Sequence, residues 1–229
     1  MELEHHSSVV TKWIFILVKA EIILLLTTWP MLYLLLNLSM ASNVNEVGTL
    51  VLTIIALVPF IVAPGWCAAY ATVRHFYRKE EEPHFWRTIW YQYKENYKAA
   101  MLTGLVFDAW LFVLYTAFWY YGRFGAMGRA IPLVVMVLSV YFFLFVLAYV
   151  ADREESLLGY WHKSLQIIMQ HPVLFLSLLF ETTLTGLIGF VIKPLMILVA
   201  PGVICLIVMY FYLQMTKLEE AKAGGRARK

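Results

Sequence analysis

Three carboxylates lie inside stretches of this chain that are otherwise almost wholly apolar: Glu21, Asp108 and Glu181. An ionisable group in a lipid-facing segment is expensive, so each is a functional candidate by default. Asp108 is about nine residues into its segment and Glu181 about eight, roughly 12–14 Å along at ~1.5 Å rise per residue. Three such acids could line a path for protons or cations. Equally, they could hydrogen-bond to Thr182, Thr183 and tyrosine hydroxyls, or anchor basic groups of a partner subunit. The fourth and sixth apolar segments carry almost no polar side chains beyond Ser139, Tyr141, Tyr149, Tyr210, Tyr212 and Gln214. No opposite wall completes a path, which favours structure or docking.

Other reactive chemistry is not legible. The chain has no phosphate-cradling glycine loop, no nucleophile elbow and no metal-ligand cluster. His75, His84, His162 and His171 stand at segment boundaries in a spacing that fits no metal signature, and His5-His6 is too short to claim one. Cys67 and Cys205 lie within apolar segments and read as small, polarizable packing residues rather than a disulfide pair. The expectation is a protein that is not an enzyme and carries no cofactor and no metal. Surface basicity alone gives no support for a nucleic-acid partner.

The elements that must hold these acids follow from composition. Of 229 residues 62% are hydrophobic and 14% charged, and mean hydropathy is +0.72. A soluble domain is about half apolar and a quarter charged, so a bilayer is the solvent. Segments 13–38, 50–73, 99–121, 131–151, 173–192 and 195–215 each approach or exceed the ~20 apolar residues needed to cross it. Only Lys193-Pro194 separates the last two, which implies a tight hairpin. The expected fold is all-α: a polytopic membrane helical bundle of six transmembrane helices plus two amphipathic helices on the cytoplasmic side. It forms one transmembrane domain over 1–229, with a flexible tail at 217–229. Ser39-Met40-Ala41 resembles a signal-peptidase site, but the preceding apolar run is too long for a signal peptide and reads as a retained span.

Orientation follows from lysine and arginine. Both termini and the loops after the second and fourth spans hold 15 of them, against Arg123, Arg129 and Lys193 on the other side. That asymmetry places both termini in the cytoplasm of a bacterial cell, with the chain multi-pass in the plasma membrane. The net charge of +3 matters less. A basic inner face also suits the anionic lipids of the inner leaflet as partners.

Residues 84–97 form the first amphipathic stretch. At 100° per residue Phe85, Trp86, Ile89, Trp90, Tyr93 and Tyr97 share one arc, with Arg87, Lys94 and Lys98 on the polar edge. Such a helix is suited to lying in the headgroup layer. At an offset of 75 residues Arg78 falls on Arg153, Phe85 on Tyr160, Trp86 on Trp161 and Asn96 on His171. This suggests an internal repeat with units at about 62–121 and 137–192, related by an axis along the membrane normal. Asn96 and His171 would each fix a helix-to-span corner by a hydrogen bond, and Pro172 supports one at that point. Trp161, like Trp86 and Trp90, reads as an interfacial lipid contact. A further echo sets Val62-Ala63-Pro64-Gly65 against Val199-Ala200-Pro201-Gly202.

The stretch around the second and third spans resembles the YesL-like integral membrane proteins of Firmicutes, a family whose biochemical role is not established. The residues that carry it are Pro64, Ala68-Ala69, Ala71-Thr72-Val73-Arg74-His75-Phe76, Glu80-Glu81-Glu82, Phe85 and Tyr93-Lys94-Glu95-Asn96-Tyr97. The first span departs from the family pattern, with Ala20-Glu21 where an Asn near a Leu-Trp pair is expected. The resemblance implies an accessory, non-catalytic membrane subunit that associates with the permeases of a carbohydrate or oligosaccharide ABC importer. The alternatives are a small secondary transporter using the three acids, and a lipid-binding or membrane-organising protein.

Overall fold

The computed structural model describes residues 2–80, 85–192 and 198–226. Among these the fold is all-α, with no strand. Helix α1 spans Glu2–Met40 and α2 spans Val44–Leu57. A single π-turn at Val58–Val62 leads into α3, Ala63–Arg78. Helix α4 runs Phe85–Tyr121 and α5 Ala126–Asp152. Helices α6, Leu157–Gln170, and α7, Pro172–Val191, precede α8, Ala200–Arg226. Six continuous helical stretches are long and apolar enough to cross a membrane: Thr11–Met40, Asn45–Arg78, Trp86–Phe124, Ala126–Asp152, Pro172–Gly189 and Ala200–Lys222. This is a multi-pass membrane bundle. Lys193-Pro194, His84 and residues 227–229 lie outside the described residues.

Helix α3 is the hub, packing on α1, α4, α5 and α8. Its sequence explains why. Ala63, Cys67, Ala68, Ala69 and Ala71 are all fully buried, and small side chains let helix backbones approach closely where lipid supplies no hydrophobic drive. The π-turn before it follows from Pro59, which has no N–H to give the preceding turn. Gly104 of α4 takes up the space this creates: a Cβ there would stand 2.7 Å from Pro59 Cα. Three residues on, Phe107 stacks on Phe143 of α5 with centroids 4.0 Å apart.

Helix α3 ends in a Schellman cap. Lys79 adopts φ 56°, its N–H donates to Phe76 O, and Glu80 N–H donates to His75 O. At the start of α6, the Ser156 hydroxyl accepts from Gly159 N–H at 3.2 Å.

One expectation requires correction. The first amphipathic stretch is not a separate helix: residues 85–97 and the third span form one rod of 37 residues, about 55 Å long against a ~30 Å hydrocarbon core. No proline or unfavourable capping residue interrupts Tyr97-Lys98-Ala99-Ala100, so intrahelical hydrogen bonding simply continues. Only the second amphipathic stretch, α6, stands alone. The tail from Lys217 is helical as far as Arg226, and its acids Glu219 and Glu220 are tied to the rest of the bundle, as described below.

Candidate functional site

The three acids occupy different environments. Glu21, on α1, is buried. Its Oε2 accepts a hydrogen bond of 2.7 Å from Gly202 N–H in the first turn of α8, and its Oε1 is buried without a hydrogen-bond partner among the described residues. The first N–H groups of a helix have no intrahelical acceptor, and the N-terminus carries partial positive charge. Glu21 therefore caps α8 from another helix. The Val-Ala-Pro-Gly echo has a matching structural counterpart, since both glycines meet polar side chains of α1: Gly65 packs on Thr27 and Gly202 on Glu21.

Asp108 is half-buried on α4, with Oδ1 enclosed and unpartnered among the described residues. Glu181 is exposed midway along α7. No hydrogen bond joins any two of these acids among the described residues, and Glu181 turns away from the bundle. The geometry does not assemble them into one path.

The interfacial residues also divide. Trp86, Arg87, Trp90, Lys94 and Lys98 are exposed on the first four turns of α4, with the Lys94 ammonium 5.0 Å from the centroid of the Trp90 ring. Trp161 is only partly exposed. It packs against Phe142 at 5.6 Å and Phe143 at 6.5 Å, and its Nε1 is buried. The inward stripe of α6 is Tyr160, Ser164 and Ile168, which pulls the neighbouring Trp161 onto α5. Asn96 fixes no corner, since α4 runs straight through it, and its Nδ2 donates to Gln92 O within the helix. His171 does sit at the break between α6 and α7, with φ −130° and ψ 56°. Its Nε2 lies 2.9 Å from Glu219 Oε1 on α8, so the corner is held by a side chain from another helix.

The densest polar constellation is one that sequence reading missed. Asp152, at the end of α5, has a fully buried side chain. Arg78 Nη2 lies 2.7 Å from its Oδ1 and Arg74 Nη1 3.5 Å. Tyr212 of α8 donates to Oδ2 at 2.9 Å, and Arg153 Nε approaches the same oxygen at 3.8 Å. Arg74 also donates to Ala151 O at 2.6 Å. Arg153 is further bound to Glu220 of α8, and that carboxylate holds the Arg153 guanidinium above its ordinary range. A buried charge persists only when paired and hydrogen-bonded, and four side chains converge on Asp152. This basic end, where α3, α5, α6 and α8 meet, is a structural clamp.

Residues 43–118 match the family model described as Protein of unknown function, DUF624. The match covers α2, α3 and nearly all of α4. It includes Arg74, Arg78, Asn96 and Asp108, and leaves Glu21, Asp152 and Glu181 outside. No curated protein and no solved structure matches the chain.

One signal for the clamp was available. Arg74 and Arg78 are four residues apart and must share a face of α3, so two cations at one helix end call for an anion. What sequence could not supply was which helix end lies opposite. The partners Tyr212 and Glu220 come from about 60 positions further along the chain, with no motif to mark them.

Proposed function

We propose that this chain is a non-enzymatic accessory membrane subunit that docks onto partner transmembrane helices through the outer face of α7. The observation that carries this reading is a polar stripe on that face. Ser177, Glu181 and Thr185 recur every fourth residue and so line up along the helix. Around them Val173, Leu176, Phe180, Leu184, Leu187 and Val191 are exposed. Small and hydroxyl side chains on an otherwise apolar helix are the usual surface of helix association in lipid, where they hydrogen-bond across the contact. An outward carboxylate at mid-helix calls for a donor or cation from another protein.

The secondary-transport reading loses support, because Glu21 is engaged as a helix cap and Glu181 faces outward. The matched family includes the YesL-like proteins, and the resemblance of residues 64–97 to them makes the permease subunits of a carbohydrate ABC importer the first partners to seek. On this reading the basic end lies in the cytoplasm.

Affinity purification of the full chain from native membranes in mild detergent, followed by mass spectrometry, tests the proposal. Importer permeases are expected with the wild type and lost with Glu181→Leu, while the variant protein remains monodisperse. Recovery of the same partners with Glu181→Leu, or repeated recovery of the protein alone, overturns it.

A further inference from the structure

A second surface, between α1 and α3, carries a different chemistry. A cleft of about 220 Å³ opens there at the basic end, with Lys12 and Lys19 on its wall. These lysines are seven residues apart on α1, two turns of one face and ~10 Å in rise. Side chains on a helix lean toward its N-terminus, which for α1 is the basic end. The Lys19 ammonium accordingly lies 4.8 Å from the centroid of the Phe15 ring, one turn nearer that end. The Lys19 ammonium is thus directed toward the end of the span at which Lys12 stands.

Apart from Thr72, whose hydroxyl donates to Ala68 O within α3, and Glu80, the remainder of the cleft is apolar. Ile16, 3% exposed, and Phe76 of α3 form its floor, and the exposed Phe15 ring stands at its rim. Glu80 also reaches the wall, but its carboxylate is engaged by His75 Nδ1. Two cations above an apolar floor, at the boundary of a membrane span, match a ligand that is anionic at one end and hydrocarbon at the other. Basic pockets between transmembrane helices on the inner side take lipid headgroups of this kind.

We infer that this cleft binds the phosphodiester headgroup of an anionic glycerophospholipid, with Lys12 and Lys19 on the phosphate and Phe15, Ile16 and Phe76 against the first carbons of the acyl chains. A soluble phosphate ester would gain nothing from the apolar floor. The site is separate from α7, and its outcome is independent of partner docking.

The test is native mass spectrometry of the full chain in mild detergent with equal amounts of phosphatidylglycerol and phosphatidylcholine. A phosphatidylglycerol adduct is expected to dominate. Lys12→Gln combined with Lys19→Gln should lower that preference about tenfold or more, since each lysine near an anionic surface contributes roughly a fivefold effect. Arg123→Gln with Arg129→Gln, exposed basic residues at the opposite end of the bundle, should leave it unchanged. If the double cleft variant fails to fold, the exposed Lys12→Gln alone should still show a several-fold loss. Equal retention of the two lipids, equal losses from both double variants, or displacement by millimolar glycerol 3-phosphate would each overturn the assignment.

Discussion

Glu21 Oε2 and Gly202 N, 181 residues apart in sequence, are joined by a 2.7 Å hydrogen bond that seats the first turn of α8 on α1. Gly202 has no room for a side chain: a Cβ would lie 2.5 Å from Glu21 Oε2 and 3.1 Å from Leu17 Cδ1. Gly202→Ala should therefore displace the carboxylate and cost about 1–3 kcal/mol as overpacking. Gly186→Ala, where nothing lies within 4 Å, should be neutral or slightly stabilising by helix propensity. Thermal unfolding in detergent distinguishes them, and equal midpoints for the two variants would refute the cap.

The contact of Gly104 with Pro59 is less forgiving, because the obstructing atom is backbone Cα rather than the end of a side chain. Gly104→Ala is expected to lower the unfolding midpoint more than Gly202→Ala. A smaller effect at Gly104 would mean that the π-turn yields easily, contrary to its position in the bundle core.

Asp152 compensates arginines from two helix ends. Removing one partner of a buried ion pair typically costs about 3–5 kcal/mol, so Asp152→Ala should be among the most damaging single changes in the chain. Arg153→Gln should cost about 1 kcal/mol or less, as the Arg153 side chain is 43% exposed. Tyr212→Phe, losing one hydrogen bond to a charged group, falls between them at about 1.5–3 kcal/mol. A ranking with Arg153→Gln as the worst would contradict the clamp geometry.

Lys79 holds the left-handed position of the cap that ends α3. That conformation costs a residue with a Cβ about 1–2 kcal/mol, whereas glycine adopts it freely. Lys79→Gly should raise the unfolding midpoint, gaining up to about 1 kcal/mol of stability after allowing for glycine's larger unfolded-state entropy. A lower midpoint would show that the lysine side chain contributes more than the strain removes.

The last turns of α8 are tied down through Glu219 to His171 and through Glu220 to Arg153. Truncation after Leu218 should loosen the α6–α7 corner, and hydrogen–deuterium exchange at residues 167–172 should speed up by an order of magnitude or more. Unchanged exchange there would mean that the tail contributes nothing to the corner.

Much of the architecture is legible in residue types alone. Twenty-residue apolar runs oblige the chain to cross lipid as helices, because only a helix satisfies every backbone group within one segment. Six such runs therefore yield six spanning stretches. Pro59 predicts a departure from regular helix in the second span, and a π-turn is found there. His171-Pro172 predicts a corner, and one is present. These features rest on local covalent and hydrogen-bonding rules, which sequence neighbours settle among themselves.

The inward turn of Trp161 and the separate fates of the three acids were decided by tertiary packing. A 3.6-residue pattern places aromatics on an arc, but does not say whether protein, lipid or water lies against it. Glu21, Asp108 and Glu181 look alike in sequence. One meets a helix N-terminus, one is half-enclosed on α4 and one faces outward, because an acid's role depends on what the rest of the chain sets opposite it. Asp152 shows the same most plainly: as a residue it is the last acid of an apolar run, and only the approach of α3 and α8 from distant sequence makes it the anion on which the basic end converges.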